Sequence, residues 1–305
     1  MKQNKWVKPL KPGDKVAIIS PSSPPESVEL VQKGASFLAS LGLFPVIGES
    51  CYASYGYLAG SDQLRADDIN KYFADPSVAG IFCARGGYGL QRILNMLDFE
   101  MIKDNPKVFC GYSDISALHN ILPQKAGFIT YHTPMLATAK FSTADQYTLT
   151  EFKRQFFGKS VGEIKNPKGF DMEFFGDAPA QGELCGGNLS IIASSLGTDY
   201  EINTSGKILF IEEVAEEPYK IDRMLNQLRL AGKLDSCAGI IFGDFSECVA
   251  IEPQSSLTLQ ELIKNLALKM PYIYGFRCGH CYPTASLPMG AVARIDPTTS
   301  LLEIL

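Results

Sequence analysis

Short, continuous runs of apolar residues alternate with segments of helical spacing through the first half of the chain, and this alternation constrains the fold more than any other feature. The apolar runs have the length of buried strands and comprise residues 15–20, 44–47, 78–83 and 107–110. The segments of helical spacing comprise residues 26–41, 61–73, 90–97 and 114–122. Apolar strands separated by helices are typical of a parallel sheet covered on both faces. The sequence therefore predicts an N-terminal α/β domain with a doubly wound, mostly parallel sheet.

A polar stretch near the middle of the chain separates this pattern from a second one. Residues 158–169 are mostly polar and are punctuated by Gly and Pro, which is typical of a connection between domains. We predict an N-terminal domain of residues 1–157, a connection over 158–176 and a C-terminal domain of residues 177–305. The C-terminal domain is expected to be a smaller α/β domain with mixed strands, closed by a pair of short strands in residues 290–305.

Charge and hydropathy argue against several classes of protein. The net charge is -5 over 305 residues, and the basic residues do not cluster. Nothing therefore indicates binding to nucleic acid or to an anionic membrane. The first 15 residues are polar and lack the apolar segment of a secretory signal, and no apolar run has the length of a membrane span. We expect a cytoplasmic protein.

The eight cysteines are expected to be reduced core residues, as is usual in a cytosolic chain of this size. Cys278 and Cys281 have the spacing of a redox dithiol, a site that needs a helix beginning within the motif. Pro283 and Pro288 follow and bar a normal helix. The two prolines therefore favour two ordinary thiols.

Ser113 follows a predicted strand, at the sheet edge where an open parallel sheet binds its ligands. It lies in a strand–turn–helix segment, and Gly111 comes two residues before it. This is the context of a nucleophile elbow, whose turn raises a hydroxyl and directs the next N–H, that of Asp114, at a bound oxygen. Ile115 stands where the elbow pattern has a second glycine, and Ser is also a favoured helix N-cap. The segment alone leaves both interpretations open and favours the cap.

A glycine-rich turn, Arg85-Gly-Gly-Tyr-Gly89, follows the preceding strand. It lacks the spacing of a phosphate-binding P-loop. The turn can present a backbone N–H to an oxyanion, and it is equally typical of a tight turn that needs positive φ. By itself it favours the tight turn.

A serine nucleophile needs a base, usually a histidine, and the chain has three: His119, His132 and His280. His119 falls inside a predicted helix, and His132 follows an apolar run. His280 lies in a Gly- and Pro-rich loop, where functional residues are common, although an isolated loop histidine is more often incidental. No two histidines have the spacing of metal ligands, so a metal site is not expected. No cofactor is predicted.

Four glutamates crowd together at Glu212, Glu213, Glu216 and Glu217, and a solvated acidic loop is the usual fate of such a run. Glu212 is the first polar residue after an apolar run, so it emerges at a strand end, where a carboxylate can orient a histidine. Glu213 is expected on the opposite face of the strand.

Six motifs follow one another along nearly the whole chain and together resemble the LD-carboxypeptidase family. They are GDKVAIISPSSP at 13–24, ARGGYG at 84–89, GYSD at 111–114, GELCGGNL at 182–189, LFIEE at 209–213 with PYKIDR at 218–223, and GH at 279–280 with LPMG at 287–290. The family includes muramoyl-tetrapeptide carboxypeptidases and microcin C immunity peptidases. The two cysteines flanking Gly279 and His280 are not part of its pattern.

The resemblance implies a serine peptidase with a triad of Ser113, Glu212 and His280, the last two in the C-terminal domain. It places the oxyanion hole at the N–H groups of Gly86 and Asp114. It implies a murein tetrapeptide as substrate, cut at the L,D-amide bond between a diamino acid and the terminal D-alanine. It also implies a homodimer with a role in peptidoglycan recycling.

Two alternatives stay open. One is a microcin-immunity peptidase that acts on peptidyl or aminoacyl adenylate analogues. That branch often stacks a Trp on the nucleobase, and the single Trp here, Trp6, lies near the N-terminus. The other alternative is a small-molecule binding protein without catalysis, in which Ser113 is only a helix cap. Turnover of a tetrapeptide that depends on Ser113 distinguishes these possibilities.

Overall fold

A computed structural model describes residues 3–158 and 161–305. The described residues cluster into two units. Unit 1 contains the residues up to 158 together with Ser286–Gly290, and unit 2 contains 161–285 and 291–305. Residues 159 and 160 of the predicted connection lie outside the described residues. The predicted domain boundaries stay a prediction.

The strands follow one another in this order: β1 (Lys15–Ile19), β2 (Phe44–Ile47), β3 (Val78–Cys83), β4 (Val108–Gly111), β5 (Thr130–His132), β6 (Gly162–Glu163), β7 (Glu173–Phe175), β8 (Ala180–Asn188), β9 (Ile208–Val214), β10 (Gly239–Ser246), β11 (Tyr272–Tyr274), β12 (Leu287–Met289), β13 (Val292–Asp296) and β14 (Leu301–Ile304). The α-helices are α1 (Val28–Ser40), α2 (Asp62–Ala74), α3 (Phe99–Asp104), α4 (Ser116–Lys125), α5 (Ala139–Ser142), α6 (Gln146–Arg154), α7 (Leu189–Ser194), α8 (Pro218–Leu230) and α9 (Leu259–Asn265). Short 3-10 helices are Glu49–Tyr52, Leu90–Met96, Ser113–Ile115 and Pro253–Ser255.

Unit 1 contains a sheet with the strand order β12-β5-β4-β3-β1-β2. Strands β1 to β5 pair in parallel, and β12 adds to the edge antiparallel to β5. This confirms the mostly parallel N-terminal sheet. The strand order reverses at β1, because β2 lies on one side of it and β3 on the other. The carboxyl ends of β1 and β3 therefore form the kind of crevice where doubly wound sheets bind ligands.

The core of unit 1 forms because its central strands are apolar on both faces. Ile18, Phe82 and Phe109 are almost completely buried, and Phe109 stacks on Phe73 of α2 with ring centroids 5.9 Å apart. Ser61 caps α2 as predicted, since its side chain accepts a hydrogen bond from the Leu64 N–H. Residues 90–96 form a 3-10 helix rather than the expected α-helix.

Unit 2 contains a mixed sheet with the strand order β6-β14-β13-β8-β9-β10-β11-β7. Strands β8 to β11 pair in parallel, and the strands outside them pair antiparallel. The mixed C-terminal domain and its closing pair, β13 and β14, are thereby confirmed. Helix α8 buries Ile221, Leu225 and Leu228 in the same apolar cluster as the central strands.

Two short strands lie inside the stretch predicted to be a plain connection. Strand β6 pairs with β14, and β7 pairs with β11. Phe175 of β7 stacks on Tyr272 of β11 with ring centroids 4.6 Å apart. This polar segment therefore supplies both edges of the unit 2 sheet.

Among the described residues, no helix is both long and apolar enough to cross a membrane.

A close backbone approach between β8 and β9 leads to a stability prediction. Gly186 has φ 115°, and a Cβ at this position would lie 1.9 Å from the Phe210 carbonyl oxygen. Gly186→Ala must separate the two strands, and we expect it to lower the free energy of unfolding by about 3 kcal/mol or more, measured by urea denaturation. The control is Gly206→Ala. Gly206 also has positive φ but has no atom within 4 Å of its Cβ position, so its loss should be about 1 kcal/mol. Equal losses for the two variants would contradict the prediction.

Candidate active site

Ser113 occupies a strained turn directly after β4. Its φ is 62°, in the left-handed region that residues with a Cβ rarely adopt. A 3-10 turn then leads into α4. Backbone strain of this kind persists where surrounding structure imposes it, and it is characteristic of a nucleophile elbow. An ordinary N-cap residue has extended φ and ψ, so the geometry favours the elbow over the cap.

The glycine-rich turn after β3 lies directly against Ser113. A Cβ at Gly86 would lie 2.8 Å from Ser113 Cβ and 3.0 Å from its Oγ, so only glycine fits there. The Ser23 N–H donates to the Gly86 carbonyl at 3.0 Å, and the Tyr88 N–H donates to Ser23 Oγ at 3.1 Å. Within the described part of the chain, the N–H groups of Gly86 and Asp114 donate to no protein acceptor.

The side chain of Asp114 points into unit 1. It is 1% exposed, and its Oδ2 accepts a hydrogen bond from the Leu90 N–H at 2.9 Å. Burial raises the pKa of the Asp114 carboxyl above its ordinary value. This residue therefore connects the Ser113 turn to the segment that follows the glycine-rich turn.

In unit 2, the predicted base and the predicted carboxylate are in direct contact. His280 Nδ1 lies 2.7 Å from Glu212 Oε2. Glu212 is on β9 and is fully buried. A Cβ at Gly279 would lie 2.9 Å from Glu212 Oε2, so glycine is required beside the histidine for this contact. The hydrogen bond places the proton of a neutral imidazole on Nδ1 and leaves Nε2 as the basic nitrogen.

Four contacts help to fix the loop that carries His280. The Asp244 N–H donates to the Cys278 carbonyl at 2.9 Å. Arg277 forms an ion pair with Asp244 at 2.6 Å. Asn166 donates its Nδ2 to the Gly275 carbonyl and accepts the Arg277 N–H at its Oδ1, both at 2.8 Å. The loop is therefore held by β10 and by the segment between β6 and β7.

Glu213, the next residue along β9, has a different set of partners. Its carboxylate accepts hydrogen bonds from Asn188 Nδ2 at 2.9 Å and from the Ser190 N–H at 2.8 Å. Burial raises its pKa. Glu213 thus contacts the beginning of α7, while Glu212 contacts His280, as alternation along a strand predicts.

The other histidines have structural contacts. His119 Nδ1 lies 2.8 Å from Thr130 Oγ1, its Nε2 lies 2.8 Å from the Gly111 carbonyl oxygen, and burial lowers its pKa to about 4. His132 on β5 is 1% exposed, and its ring packs edge-on against Tyr112.

The described cysteines are free thiols, and Cys278 and Cys281 are buried. Burial raises the pKa of Cys281 to about 12, which opposes formation of a thiolate. In the described residues no group of three or more His, Cys, Asp or Glu side chains is arranged to hold a metal ion.

Both halves of the chain match known sequence models. Residues 16–133 match the LD-carboxypeptidase N-terminal domain, and residues 181–295 match the LD-carboxypeptidase C-terminal domain. The chain belongs to the LD-carboxypeptidase family. It is accordingly a peptidase.

Named relatives and solved structures match nearly the whole chain. A Bacillus subtilis protein named probable murein peptide carboxypeptidase is 40% identical over 301 residues, which are 97% of this chain and 93% of that protein. The crystal structure of muramoyltetrapeptide carboxypeptidase from Oxalobacter formigenes matches with a TM-score of 0.82 and 26% identity, and the match covers 95% of this chain and 97% of that one.

The microcin branch matches as well. The microcin C7 self-immunity protein MccF of Escherichia coli is 28% identical over 320 residues, covering 94% of this chain and 92% of that protein. A structure of MccF in complex with aspartyl sulfamoyl adenosine matches with a TM-score of 0.88 and 25% identity, covering 98% of this chain and 97% of that one.

Sequence reasoning missed the residues that support the site. Asn166 lies in the stretch predicted to be a connection, and Arg277 resembles any loop arginine. Arg65, whose side chain is fully buried in α2, has a residue type that is usually exposed. The signal that could have identified Asn166 is its position directly before Pro167 in the predicted connection.

The Asn166 contacts lead to a prediction about the His280 loop. Asn166→Ala leaves the Gly275 carbonyl and the Arg277 N–H without their partner, a loss of about 1–3 kcal/mol locally. We expect backbone amides of residues 275–285 to exchange with deuterium about tenfold faster or more, measured by mass spectrometry. Asn203→Ala, which removes a hydrogen bond to Ser205 in an exposed turn, is the control and should leave that loop unchanged. If residues 275–285 of Asn166→Ala exchange deuterium at the same rate as in the wild type, the prediction is wrong.

Proposed function

We propose that this protein is a serine peptidase that cleaves the L,D-amide bond between a diamino acid and the terminal D-alanine of murein tetrapeptides. The observation that carries the proposal is the 2.7 Å contact between His280 and the fully buried Glu212. A carboxylate that holds Nδ1 of a histidine is the base half of a serine triad. The names of the Bacillus subtilis and Oxalobacter formigenes relatives support the murein substrate.

In the proposed mechanism, Ser113 Oγ attacks the carbonyl carbon of the scissile amide while His280 Nε2 takes the hydroxyl proton. The N–H groups of Gly86 and Asp114 donate to the oxyanion of the tetrahedral intermediate. His280 then gives its proton to the nitrogen of D-alanine, which leaves, and the peptide remains as an ester on Ser113. Water, deprotonated by His280, hydrolyses this ester and restores the serine. Glu212 stabilises the imidazolium in each half of the reaction.

The strain at Ser113 supports its assignment as nucleophile. A left-handed φ of 62° costs about 1–2 kcal/mol for a residue with a Cβ. A helix cap gains nothing from this conformation, whereas a nucleophile gains exposure of its hydroxyl above the sheet edge. The non-catalytic binding protein considered from the sequence is therefore the weaker interpretation. A cytoplasmic location, expected from the polar N-terminus and the lack of a long apolar run, and a homodimer, implied by the family resemblance, belong to this proposal.

A second candidate is the peptidase activity of the microcin branch, which the MccF matches favour. Incubation with aspartyl sulfamoyl adenosine and, separately, with murein tetrapeptide distinguishes the two. We expect kcat/KM to favour the tetrapeptide, because the single Trp of the chain, Trp6, precedes β1 rather than lying at a strand end. A higher kcat/KM for the nucleoside analogue would favour the second candidate.

The proposed nucleophile is tested by Ser113→Ala. We expect release of D-alanine from murein tetrapeptide, followed by mass spectrometry, to fall by about three orders of magnitude or more, because no oxygen remains to form the ester. Tetrapeptide binding, measured by calorimetry, should persist, since only one hydroxyl is removed. A turnover rate near that of the wild type would exclude a serine mechanism through this residue.

The proposed carboxylate is tested by Glu212→Gln. The amide keeps the shape of the side chain but favours the wrong imidazole tautomer, a change that lowers turnover by about four orders of magnitude in chymotrypsin-type proteases. We expect kcat to fall by about three to four orders with little change in KM.

Glu213→Gln and Glu216→Gln are the matched controls. Glu213 contacts the beginning of α7, and Glu216 pairs with Lys220, so each should reduce kcat much less. A larger kcat loss at either control than at Glu212 would transfer the role to that residue.

A further inference from the structure

One peptide group in unit 1, between Gly89 and Leu90, is held at both of its ends by buried charged side chains. Arg65 Nη1 donates to the Gly89 carbonyl oxygen at 2.8 Å. The Leu90 N–H donates to Asp114 Oδ2 at 2.9 Å. The Arg65 side chain is fully buried and Asp114 is 1% exposed.

The charges at the two ends have the sign that the peptide dipole requires. The partially negative carbonyl oxygen faces a guanidinium, and the partially positive N–H faces a carboxylate. A flip of this peptide would bring like charges together at both ends, in surroundings where burial strengthens electrostatic interactions. The arrangement therefore allows a single orientation of the peptide.

The same guanidinium also holds the loop after β1. Arg65 Nη1 donates to the Pro21 carbonyl oxygen at 2.6 Å. Two residues further along this loop, Ser23 holds the Gly86 carbonyl and the Tyr88 N–H. One buried cation thus contacts both the loop after β1 and the last residue of the glycine-rich turn.

The glycines of this turn leave room for the Arg65 guanidinium, and they also make the backbone flexible enough to need it. Gly89 has φ 129°, and a Cβ there would lie 2.9 Å from Arg65 Nη1 and 2.6 Å from Leu58 Cδ2, so glycine admits the guanidinium. Gly86 and Gly87 precede it, and such a sequence has many accessible backbone conformations unless it is held.

We propose that Arg65 and the Asp114 carboxylate are positioning residues, which hold the Gly89–Leu90 peptide and through it keep the Gly86 N–H aimed at the oxyanion. This inference rests on the proposed function, because it assigns a role within the proposed oxyanion hole. Asp114 then has two roles. Its N–H is one oxyanion donor, and its carboxylate restrains the segment that carries the other.

The test compares Asp114→Ala, Asp114→Asn and Arg65→Lys. Displacement of an oxyanion donor weakens transition-state binding and leaves ground-state binding intact. We expect Asp114→Ala and Arg65→Lys to lower kcat for D-alanine release by about 10- to 100-fold, with KM within about threefold of wild type. Asp114→Asn keeps an oxygen that can accept the Leu90 N–H and should retain kcat within about fivefold.

A second readout does not depend on the peptide substrate. The rate at which a fluorophosphonate modifies Ser113 also depends on the oxyanion hole, so it should fall by a factor similar to that of kcat. The control is Asp68→Ala, which removes another buried carboxylate of unit 1 that accepts from a backbone N–H, that of Ser50 at 2.8 Å. It should lower the unfolding temperature but leave kcat within about threefold.

Several outcomes overturn the inference. They are a kcat loss at Asp114→Ala no larger than at Asp68→Ala, a KM that rises as much as kcat falls, and an Asp114→Asn variant as slow as Asp114→Ala. If Asp114→Ala does not fold, the inference is tested by kcat for D-alanine release in Arg65→Lys and Asp114→Asn.

The two proposals fail in different ways. Wild-type protein that reacts with the fluorophosphonate but releases no D-alanine contradicts the proposed substrate, and the modification rates of the variants still test the positioning roles. Wild-type protein that does neither contradicts both proposals.

Discussion

The site in unit 2 depends on one buried carboxylate. Glu212 is fully buried on β9, and within the described residues its Oε1 accepts no hydrogen bond, so the contact of its Oε2 with His280 is what compensates its burial. An unpaired buried charge costs several kcal/mol. Because movement of the imidazole away from Glu212 would leave the carboxylate unpaired, this penalty keeps the ring in place. Gly279 permits the close approach, and the loop contacts of Arg277 and Asn166 maintain it. The firmly oriented ring suits the catalytic role that we propose for His280.

Unit 1 has a different requirement, because its proposed oxyanion donors are backbone N–H groups. Backbone N–H groups in a glycine-rich turn have no side chain to fix them, and positive φ at Ser113 adds strain. In the structure Arg65 donates to the Gly89 carbonyl, while Ser23 Oγ and the Asp114 carboxylate accept from the N–H groups of Tyr88 and Leu90. Charge is buried in both units, in each case next to a proposed catalytic group whose orientation must be accurate.

The features that the sequence predicted are those with strong local signals. Continuous apolar runs identified the central strands, and the rule that ligands bind at strand ends led to Ser113 and Glu212. Residue patterns alone favoured a cap for Ser113 and an incidental role for His280. It was the order of six motifs, read as a family resemblance, that connected them.

The features that were missed depend on contacts between distant parts of the chain. Strands β6 and β7 are two and three residues long, and they are strands only because β14 and β11 offer edges. Strand β12 returns to the unit 1 sheet after the His280 loop, a pairing that no local pattern encodes. Arg65 in α2 has the spacing of an ordinary helical residue, and its role comes from two carbonyl oxygens in other loops.

The central claim is that Ser113 is the nucleophile and that His280 activates it. The most direct measurement treats the active enzyme with a fluorophosphonate and locates the adduct by peptide mass spectrometry, alongside the remaining release of D-alanine. We predict a single adduct on Ser113, formed in proportion to the loss of activity and far more slowly in His280→Ala. An enzyme that loses activity with the adduct on another residue, or a Ser113 that reacts equally fast without His280, would contradict the claim.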